Sequence, residues 1–294
     1  MNIRLLTGFV CLLMAISGWA QQRTLNVAAR PGPGSVQQPT SDERRVGLVI
    51  GNASYPGANR LTNPINDANA ISRALEQNGF EVHRVNDLHS SQVDGLKKTL
   101  EQRLTRNAVL FIYYAGHGVQ VDGRNYLLPI DVRTDNDSLL DDALYLGDLL
   151  AIIDKKRPKL SVVILDACRD NPFRDSRHLP LRAGLARVDP PSSTVVFYAT
   201  RPGGVASDGP DGNGLFTTAL LGELGRPGQS LEVIFRRTAT GVFDRSRGEQ
   251  EPWIEGVIRH EFFFDGPTRR PSAPQSIAAT AVGITPAVAV HSTA

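Results

Sequence analysis

The sequence predicts an α/β fold in which helices cover both faces of a mostly parallel central sheet. Apolar runs of strand length recur along the chain, amphipathic segments of helix length separate them, and several of the runs are apolar throughout. A strand that is covered on both faces needs apolar side chains on both faces, so an unbroken apolar run indicates a parallel strand inside a layered domain.

The first half of the chain alternates between strands and helices. The first three strands are predicted at residues 45–52, 80–87 and 108–116. Asn63 and Pro64 predict a capping residue and a proline at the first helical position, and Gly79 predicts the end of that helix. Ser91 predicts the cap of a second helix.

The second half continues this alternation. The dipeptide Asp122-Gly123 predicts the turn of a hairpin over residues 119–130. Further helices are predicted near 146–156, 214–224 and 230–243, and further strands at 160–167, at 193–200 and around Phe262, Phe263 and Phe264.

The first twenty residues predict a secretory signal peptide. Arg4 supplies a positive charge, an apolar run follows it, and Gly18-Trp19-Ala20 matches a small-residue cleavage site. The run is short for a bilayer span, although an uncleaved anchor stays open as the alternative. We therefore expect an exported protein, periplasmic or secreted, with no stable membrane insertion after cleavage.

Composition divides the rest of the chain into a folded domain and two flanking segments. Residues 21–43 predict a flexible linker, 44–265 a folded domain and 266–294 a disordered low-complexity tail, because both flanks are rich in small residues and proline. A net charge of +2 without a basic patch argues against nucleic acid as a partner.

The cysteine count raises a question about Cys168. The chain has two cysteines, and Cys11 lies in the predicted signal peptide. After cleavage no intramolecular disulfide can form, so Cys168 is either a functional thiol or an inert buried one. The count alone leaves both interpretations open.

Topology favours the functional interpretation. His117 and Cys168 each follow a predicted buried strand, and ligands in such sheets bind beyond the carboxyl ends of the strands. A neighbouring histidine can take the proton of a thiol and make it a nucleophile. The backbone amides of Gly118 and Cys168 are the predicted oxyanion donors, because Gly116 and Gly118 leave the backbone accessible. A polar strand-end histidine and a core cysteine are the alternatives.

Two motifs carry a resemblance to a known family. The stretches YYAGHG (113–118) and LDACRDNPF (165–173) resemble the paired motifs of caspase-like peptidases of clan CD, the peptidase C14 family. The likeness is strongest to the bacterial branch related to metacaspases and orthocaspases. It extends through GLVIGNASY, FYATRPGGVASDG and NGLFTTALL, and so covers about 44–265.

The resemblance implies a caspase–hemoglobinase fold and thiol protease activity. His117 is implied as the general base and Cys168 as the nucleophile of a cysteine endopeptidase acting on peptide or protein substrates. A large-subunit part (44–173), a linker (174–192) and a small-subunit part (193–265) are implied as well. We expect a monomer or a weak dimer.

Specificity for a basic P1 residue is also implied by the resemblance. Metacaspase-like members bind Arg or Lys through acidic residues, and Asp67 and Asp166 match two such positions, with Asp208 as a third candidate. The alternative for Asp67 is a carboxylate that complements a helix dipole, and for Asp166 a hydrogen bond in a loop or cap.

Calcium is the cofactor that the resemblance raises. Asp131, Asp141, Asp142 and Asp175 fall at spacings similar to metacaspase calcium ligands, but carboxylates of this kind are usually solvated loop residues. We therefore expect no required cofactor. The chain also departs from the eukaryotic Asp-x-Cys-His-Ser-Gly pattern, because Arg169 follows the cysteine.

Three further hypotheses concern processing and rival functions. The linker carries Arg174, Arg177, Arg182 and Arg187, so an arginine-specific protease is expected to cut itself after Arg182 or Arg187, unless the loop is merely a basic surface. A catalytically silent scaffold that binds peptides or partner proteins is the main alternative function. A nucleotide-binding protein is disfavoured, because the loop after the first strand matches no phosphate-binding motif.

Overall fold

The computed structural model describes residues 43–132, 139–168, 182–201, 212–259 and 261–265, all within one compact unit. The predicted signal peptide, nearly all of the predicted linker at 21–43 and the predicted tail at 266–294 lie outside the described residues. At Cys168 the description covers the backbone alone.

The described part of the chain contains nine strands and six α-helices. The strands are β1 (Arg45–Gly51), β2 (Glu81–Asn86), β3 (Val109–Val121), β4 (Arg124–Leu127), β5 (Leu144–Tyr145), β6 (Leu160–Cys168), β7 (Arg182–Ala183), β8 (Thr194–Tyr198) and β9 (Trp253–Gly256). The helices are α1 (Pro64–Gln77), α2 (Val93–Arg103), α3 (Leu139–Asp142), α4 (Leu146–Lys156), α5 (Leu215–Leu224) and α6 (Leu231–Arg245).

The central sheet has the order β2-β1-β3-β6-β8-β9. The first five of these strands run parallel, and β9 pairs antiparallel with β8 at the edge. The predicted fold class is therefore confirmed. Helical connections between parallel strands place the carboxyl ends of β1, β3 and β6 at one edge of the sheet.

Each face of the sheet has its own hydrophobic core. On one face α1, α5 and α6 contribute Ile71, Leu75, Phe216, Leu220 and Phe235 to the core. The opposite face is covered by α2 and α4, which supply Leu96, Leu100, Leu149 and Ile153. The two layers explain why the central strands are apolar at nearly every position.

Strand β3 continues past the sheet and carries the segment around His117 outward. Its last residues pair antiparallel with β4, and Asp122 and Gly123 form the turn with φ of 48° and 76°. The predicted hairpin is confirmed, since a two-residue turn with both φ values positive suits the twist of the flanking strands. β5 pairs with β4, and β7 pairs with β3.

Two local predictions were wrong. Ser91 lies inside a 3-10 turn (Ser90–Gln92) that His89 and Gln92 cap reciprocally, and the capping position of α2 is Gln92. Phe263 makes an isolated bridge to Ser230 rather than a final strand, because the chain turns at residues 264 and 265.

The final strand of the sheet is β9, which was not predicted. Within the described ranges, no helix combines the length and apolarity that a bilayer span requires.

Candidate active site

The register of β3 and β6 brings the two predicted catalytic positions together. The Cα partners run in parallel from Val109 and Leu160 to His117 and Cys168, the last pair in the ladder. His117 and Cys168 therefore occupy adjacent positions at the carboxyl edge of the sheet, as the prediction required. The structure describes the backbone of Cys168, so the pairing concerns backbone position.

Gly116 leaves room for two tyrosine hydroxyl groups beside the backbone of β3, just before the histidine. Its φ is +154°, and a Cβ at this position would lie 2.8 Å from the hydroxyl oxygen of Tyr114 and 2.9 Å from that of Tyr55. A side chain at residue 116 would displace both hydroxyl groups, so glycine is required here for space as well as for conformation.

The His117 ring is almost fully enclosed and is oriented by the backbone. It is 4% exposed, its Nε2 lies 2.8 Å from the carbonyl oxygen of Asn59, and its centroid is 4.4 Å from that of the Tyr55 ring. A carbonyl oxygen only accepts hydrogen bonds, so Nε2 carries the proton. In the neutral ring the lone pair is then on Nδ1, which can act as a base.

Two buried phenols hold the backbone of His117. The His117 amide donates to the hydroxyl of Tyr55 (3.0 Å), and its carbonyl accepts from the hydroxyl of Tyr114 (2.6 Å) and from the amide of Leu128 (3.0 Å). Burial, then the Tyr55 hydroxyl, raise the pKa of Tyr114 well above its usual value, so this phenol stays protonated. The backbone on both sides of the ring is therefore fixed.

Asn52 connects this network to the end of β1. Its side-chain amide donates to the carbonyl of Leu128 (2.8 Å), and its side-chain oxygen accepts from the amide of Leu88 (2.8 Å). The hydroxyl of Tyr55 donates to the same Leu128 carbonyl at 2.8 Å. The loop after β1 and the segment after β4 are thus joined beside the histidine.

The carboxylates of Asp67 and Asp166 border a common point at Gly214. Asp67 is in the first turn of α1, is 3% exposed and accepts from the Gly214 amide at 3.0 Å. A Cβ on Gly214 would lie 3.3 Å from Asp67 Oδ2 and 3.6 Å from Asp166 Oδ2. The structure therefore brings together these two candidate P1-binding residues, whereas Asp208 lies outside the described residues.

Asp166 is held by two hydroxyl groups. Its Oδ2 accepts from Thr217 Oγ1 at 2.8 Å and from the Tyr113 hydroxyl at 3.3 Å. Burial first, then the charges of Asp166 and Asp67, raise the pKa of Tyr113 well above its usual value. The two carboxylates thus share one electrostatic environment.

The predicted oxyanion donor Gly118 lies in a closely packed part of β3. Gly118 is buried in β3 opposite Leu127, and a Cβ there would lie 3.0 Å from Leu185, so the backbone is closely packed. Its role in an oxyanion hole stays a prediction.

The calcium candidates that the structure describes belong to two different segments of the chain. Asp131 accepts from the amide and hydroxyl of Ser90 and lies 3.3 Å from His89 Nδ1. Asp141 and Asp142 are in the short helix α3. Across the described ranges no three His, Cys, Asp or Glu side chains form a group that could hold a metal ion, and Asp175 lies outside those ranges. The expectation that no cofactor is required, with calcium as the open alternative, stays a prediction.

Five residues that contact the candidate site were not singled out from the sequence: Tyr55, Asn59, Tyr113, Tyr114 and Thr217. One signal was available, because two tyrosines inside an aliphatic strand must find hydrogen-bond partners when they are buried. That signal indicates that partners exist without identifying them.

Comparisons with known proteins agree with this architecture. A solved structure, the crystal structure of the Drosophila initiator caspase Dronc, superposes with a TM-score of 0.58 at 14% identity, covering 79% of this chain and 87% of that chain. At this identity the likeness concerns the fold.

Two curated relatives match part of the chain. The human mucosa-associated lymphoid tissue lymphoma translocation protein 1 is 28% identical over 174 residues, 58% of this chain and 20% of the relative. Its mouse homolog is 29% identical over 171 residues, with the same shares covered. The chain thus spans about a fifth of the length of each relative. The family model described as the caspase domain matches residues 44–263, well over half of the chain, and this protein therefore belongs to the caspase-domain peptidase family, C14.

Proposed function

We propose that this protein is a cysteine endopeptidase that cleaves after arginine or lysine, with His117 as the general base and Cys168 as the nucleophile. Membership of the caspase-domain family supports cysteine protease activity in general, with proteins or peptides as substrates. The observation that carries the finer proposal is the pairing of these two positions, the last pair of the ladder between β3 and β6.

The proposed reaction begins with proton transfer from the Cys168 thiol to Nδ1 of His117. The bond between Nε2 and the Asn59 carbonyl supports this role, because it leaves Nδ1 as the basic nitrogen. The thiolate attacks the peptide carbonyl carbon, and the oxyanion accepts from the amides of Gly118 and Cys168. The imidazolium then gives its proton to the leaving amine, and water hydrolyses the acyl-enzyme with His117 again as base.

The preference for a basic P1 residue is supported by the Asp67 and Asp166 carboxylates. Both border the Gly214 position, and neither is fully solvated. Carboxylates in a partly desolvated pocket favour a guanidinium, whose planar donors bind two oxygens at once, over a neutral side chain.

A panel of fluorogenic peptides that differ at P1 tests the proposal. We expect cleavage after Arg and Lys, none after Asp, and loss of turnover in Cys168→Ala and His117→Ala. Asp166→Asn and Asp67→Asn should each lower kcat/KM for the P1-Arg peptide by about 100-fold, since losing one partner of a partly buried charge pair costs about 2–5 kcal/mol. Asp154→Asn, an exposed carboxylate on α4, is the matched control.

The same panel decides between the rival functions. It is run with calcium and with a chelator, and equal rates support the expectation that no cofactor is required. Turnover that is absent for every P1 residue in both conditions contradicts the proposal and favours the peptide-binding scaffold.

Self-processing after Arg182 or Arg187 is the second part of the proposal. Arg187 is 66% exposed, its guanidinium stacks 4.7 Å from the Trp253 ring, and the next amide, that of Val188, donates to Glu255 at 2.8 Å. Arg182 is paired with Gln120 in the sheet. Cleavage at either position therefore requires local release of the segment. Mass spectrometry should detect two fragments in the wild type and an intact chain in Cys168→Ala; fully active wild type without fragments would contradict this part.

A further inference from the structure

Two buried hydroxyl groups form a closed triangle with the carboxylate of Asp166. Tyr113 belongs to β3 and Thr217 to the first turn of α5, and both side chains are 0% exposed. Thr217 Oγ1 lies 2.8 Å from Asp166 Oδ2, the Tyr113 hydroxyl lies 3.3 Å from the same oxygen, and the two hydroxyls are 2.6 Å apart. The caspase chemistry described above assigns no role to either hydroxyl.

The distances indicate which hydroxyl group donates to which oxygen. A carboxylate oxygen only accepts, so the shorter contact uses the single proton of Thr217 to bond Asp166. The proton of Tyr113 is then directed to Thr217 Oγ1, the nearest acceptor. Its 3.3 Å approach to Asp166 is a second and weaker contact, which can replace the first when Thr217 is absent.

Tyr113 is a permanent donor in this arrangement. Burial, followed by the nearby charges of Asp166 and Asp67, raises the pKa of Tyr113 well above its usual value. The phenol therefore keeps its proton at neutral pH and remains a donor. Neutral donors that point at a carboxylate favour its charged form and fix its orientation.

The first turn of α5 donates hydrogen bonds to both acidic residues. The Gly214 amide, at its start, donates to Asp67 Oδ1 at 3.0 Å, and Thr217, within it, donates to Asp166 Oδ2. Two like charges near one point disfavour each other's ionisation, so donors to each carboxylate offset that repulsion.

We propose that Tyr113 and Thr217 are positioning residues that hold the Asp166 carboxylate oriented and ionised for a P1 guanidinium, and thereby set the preference for arginine. The inference rests on the proposed P1-basic peptidase function and adds the residues that make Asp166 selective. It concerns recognition of the P1 charge and leaves the dyad chemistry unchanged.

The test compares two buried threonines. Thr217→Val removes the donor to Asp166, while Thr238→Val in α6 makes the same substitution at a hydroxyl that has no hydrogen-bond partner among the described residues. The probes are two peptides that differ at P1, with arginine or with its neutral isostere citrulline. The measured quantity is the ratio of their kcat/KM values.

We expect Thr217→Val to lower kcat/KM for the arginine peptide by about tenfold, mainly through KM, because a hydrogen bond to a charged group contributes about 1.4 kcal/mol or more. For the citrulline peptide, kcat/KM of the variant should stay within about twofold of the wild-type value. The ratio of arginine to citrulline cleavage therefore falls. Thr217→Ser keeps the hydroxyl and should restore the ratio, and Thr238→Val should leave it unchanged.

A double variant sharpens the test. Tyr113→Phe alone should have a smaller effect than Thr217→Val, because Thr217 still donates to Asp166. The combination Tyr113→Phe/Thr217→Val should lower the ratio by more than the product of the two single effects, since each hydroxyl partly replaces the other. If the valine variants do not fold, Thr217→Ala supplies the comparison, because it removes the same hydroxyl.

The outcomes separate the two levels of the proposal. Suppose that the wild type prefers arginine, but Thr217→Val leaves kcat/KM unchanged for both peptides or lowers it equally for both. The ratio then keeps its wild-type value, the positioning role is overturned and the proposed function stands. If the wild type does not prefer arginine to citrulline, both fail. A fall in the ratio that serine restores supports the inference.

Discussion

Tyr113 and Tyr114 are consecutive, fully buried phenols in β3, yet they support different halves of the candidate site. Tyr113 packs in the core beneath α1, α5 and α6, and its hydroxyl contacts Thr217 and Asp166. Tyr114 packs in the opposite core, and its hydroxyl donates to the carbonyl of His117. Because burial raises the pKa of both phenols, each acts as a neutral donor.

The difference lies in what each hydroxyl holds. The partners of Tyr114 include the backbone at His117 and Leu128, groups that carry no net charge. Tyr113 instead acts on an ionisable side chain, directly and through Thr217. The same residue type therefore fixes geometry on the histidine side and favours a charge on the carboxylate side. Substitutions should separate the two roles.

The largest effect is expected for Gly116→Ala, which disrupts the histidine side alone. The new Cβ would approach both the Tyr114 and Tyr55 hydroxyls within 3 Å, at a φ of +154°. We expect a loss of about 3 kcal/mol in the free energy of unfolding, since overpacking and backbone strain each cost about 1–3 kcal/mol. Urea unfolding measures this change.

The comparison also predicts which kinetic property Gly116→Ala retains. Remaining activity should fall through kcat with an unchanged ratio of P1-Arg to P1-citrulline cleavage. Gly95→Ala in α2 is the control, because nothing lies within 4 Å of a Cβ at that exposed helical position. A changed ratio of P1-Arg to P1-citrulline cleavage in Gly116→Ala would contradict the conclusion that the two halves act separately.

The pair Tyr114→Phe and Tyr113→Phe gives an intermediate effect and the most direct contrast. Tyr114→Phe should cost about 1 kcal/mol of stability, because the His117 carbonyl and the Leu128 amide still bond each other at 3.0 Å. It should lower kcat equally for arginine and citrulline peptides. Tyr113→Phe should lower the ratio between the peptides instead. Identical kinetic profiles for the two variants are the result that would contradict this contrast.

Local patterns predicted the layers of the fold and the adjacency of positions 117 and 168 for a clear physical reason. An apolar run that must be buried on both faces has few alternatives to a central parallel strand, and the ends of such strands share one edge. The run at 108–116 and the run at 160–167 therefore led directly to His117 and Cys168. β9 was missed because Trp253–Gly256 is a four-residue edge strand whose exposure alternates.

The hydroxyl groups beneath Asp166 could not be predicted in the same way. Thr217 is 104 residues from Tyr113 and 51 from Asp166, so the triangle forms through tertiary packing of α5 on the sheet. The Asn59 carbonyl beside His117 is a backbone group and has no residue-type signature. Sequence pattern identifies residues whose chemistry is unusual, whereas ordinary residues obtain a role from the fold.

The smallest effect concerns an ionisable group on the histidine side, Asp87. Its Oδ1 accepts from the amides of Ala53 (2.8 Å) and Ser54 (2.9 Å), and its Oδ2 from the Ser54 hydroxyl (2.6 Å). Burial, the largest influence, raises the pKa of Asp87, but the hydrogen bonds together outweigh it, so the pKa lies below its usual value. These bonds anchor the segment that carries Tyr55 and Asn59.

Because folding lowers the pKa of Asp87, its contribution to stability is present above the unfolded-state pKa of about 3.9 and is lost as the pH falls through the lower folded-state value. Asp87→Asn should therefore cost about 0.5 kcal/mol at pH 7, because this carboxylate is only partly buried and asparagine keeps one acceptor oxygen. The cost should be much less near pH 2, measured by urea unfolding against Asp154→Asn. The P1 ratio should not change at pH 7, because the anchored segment lies on the histidine side. A deficit in stability that is equal at both pH values would show that the charge of Asp87 is not what holds this segment.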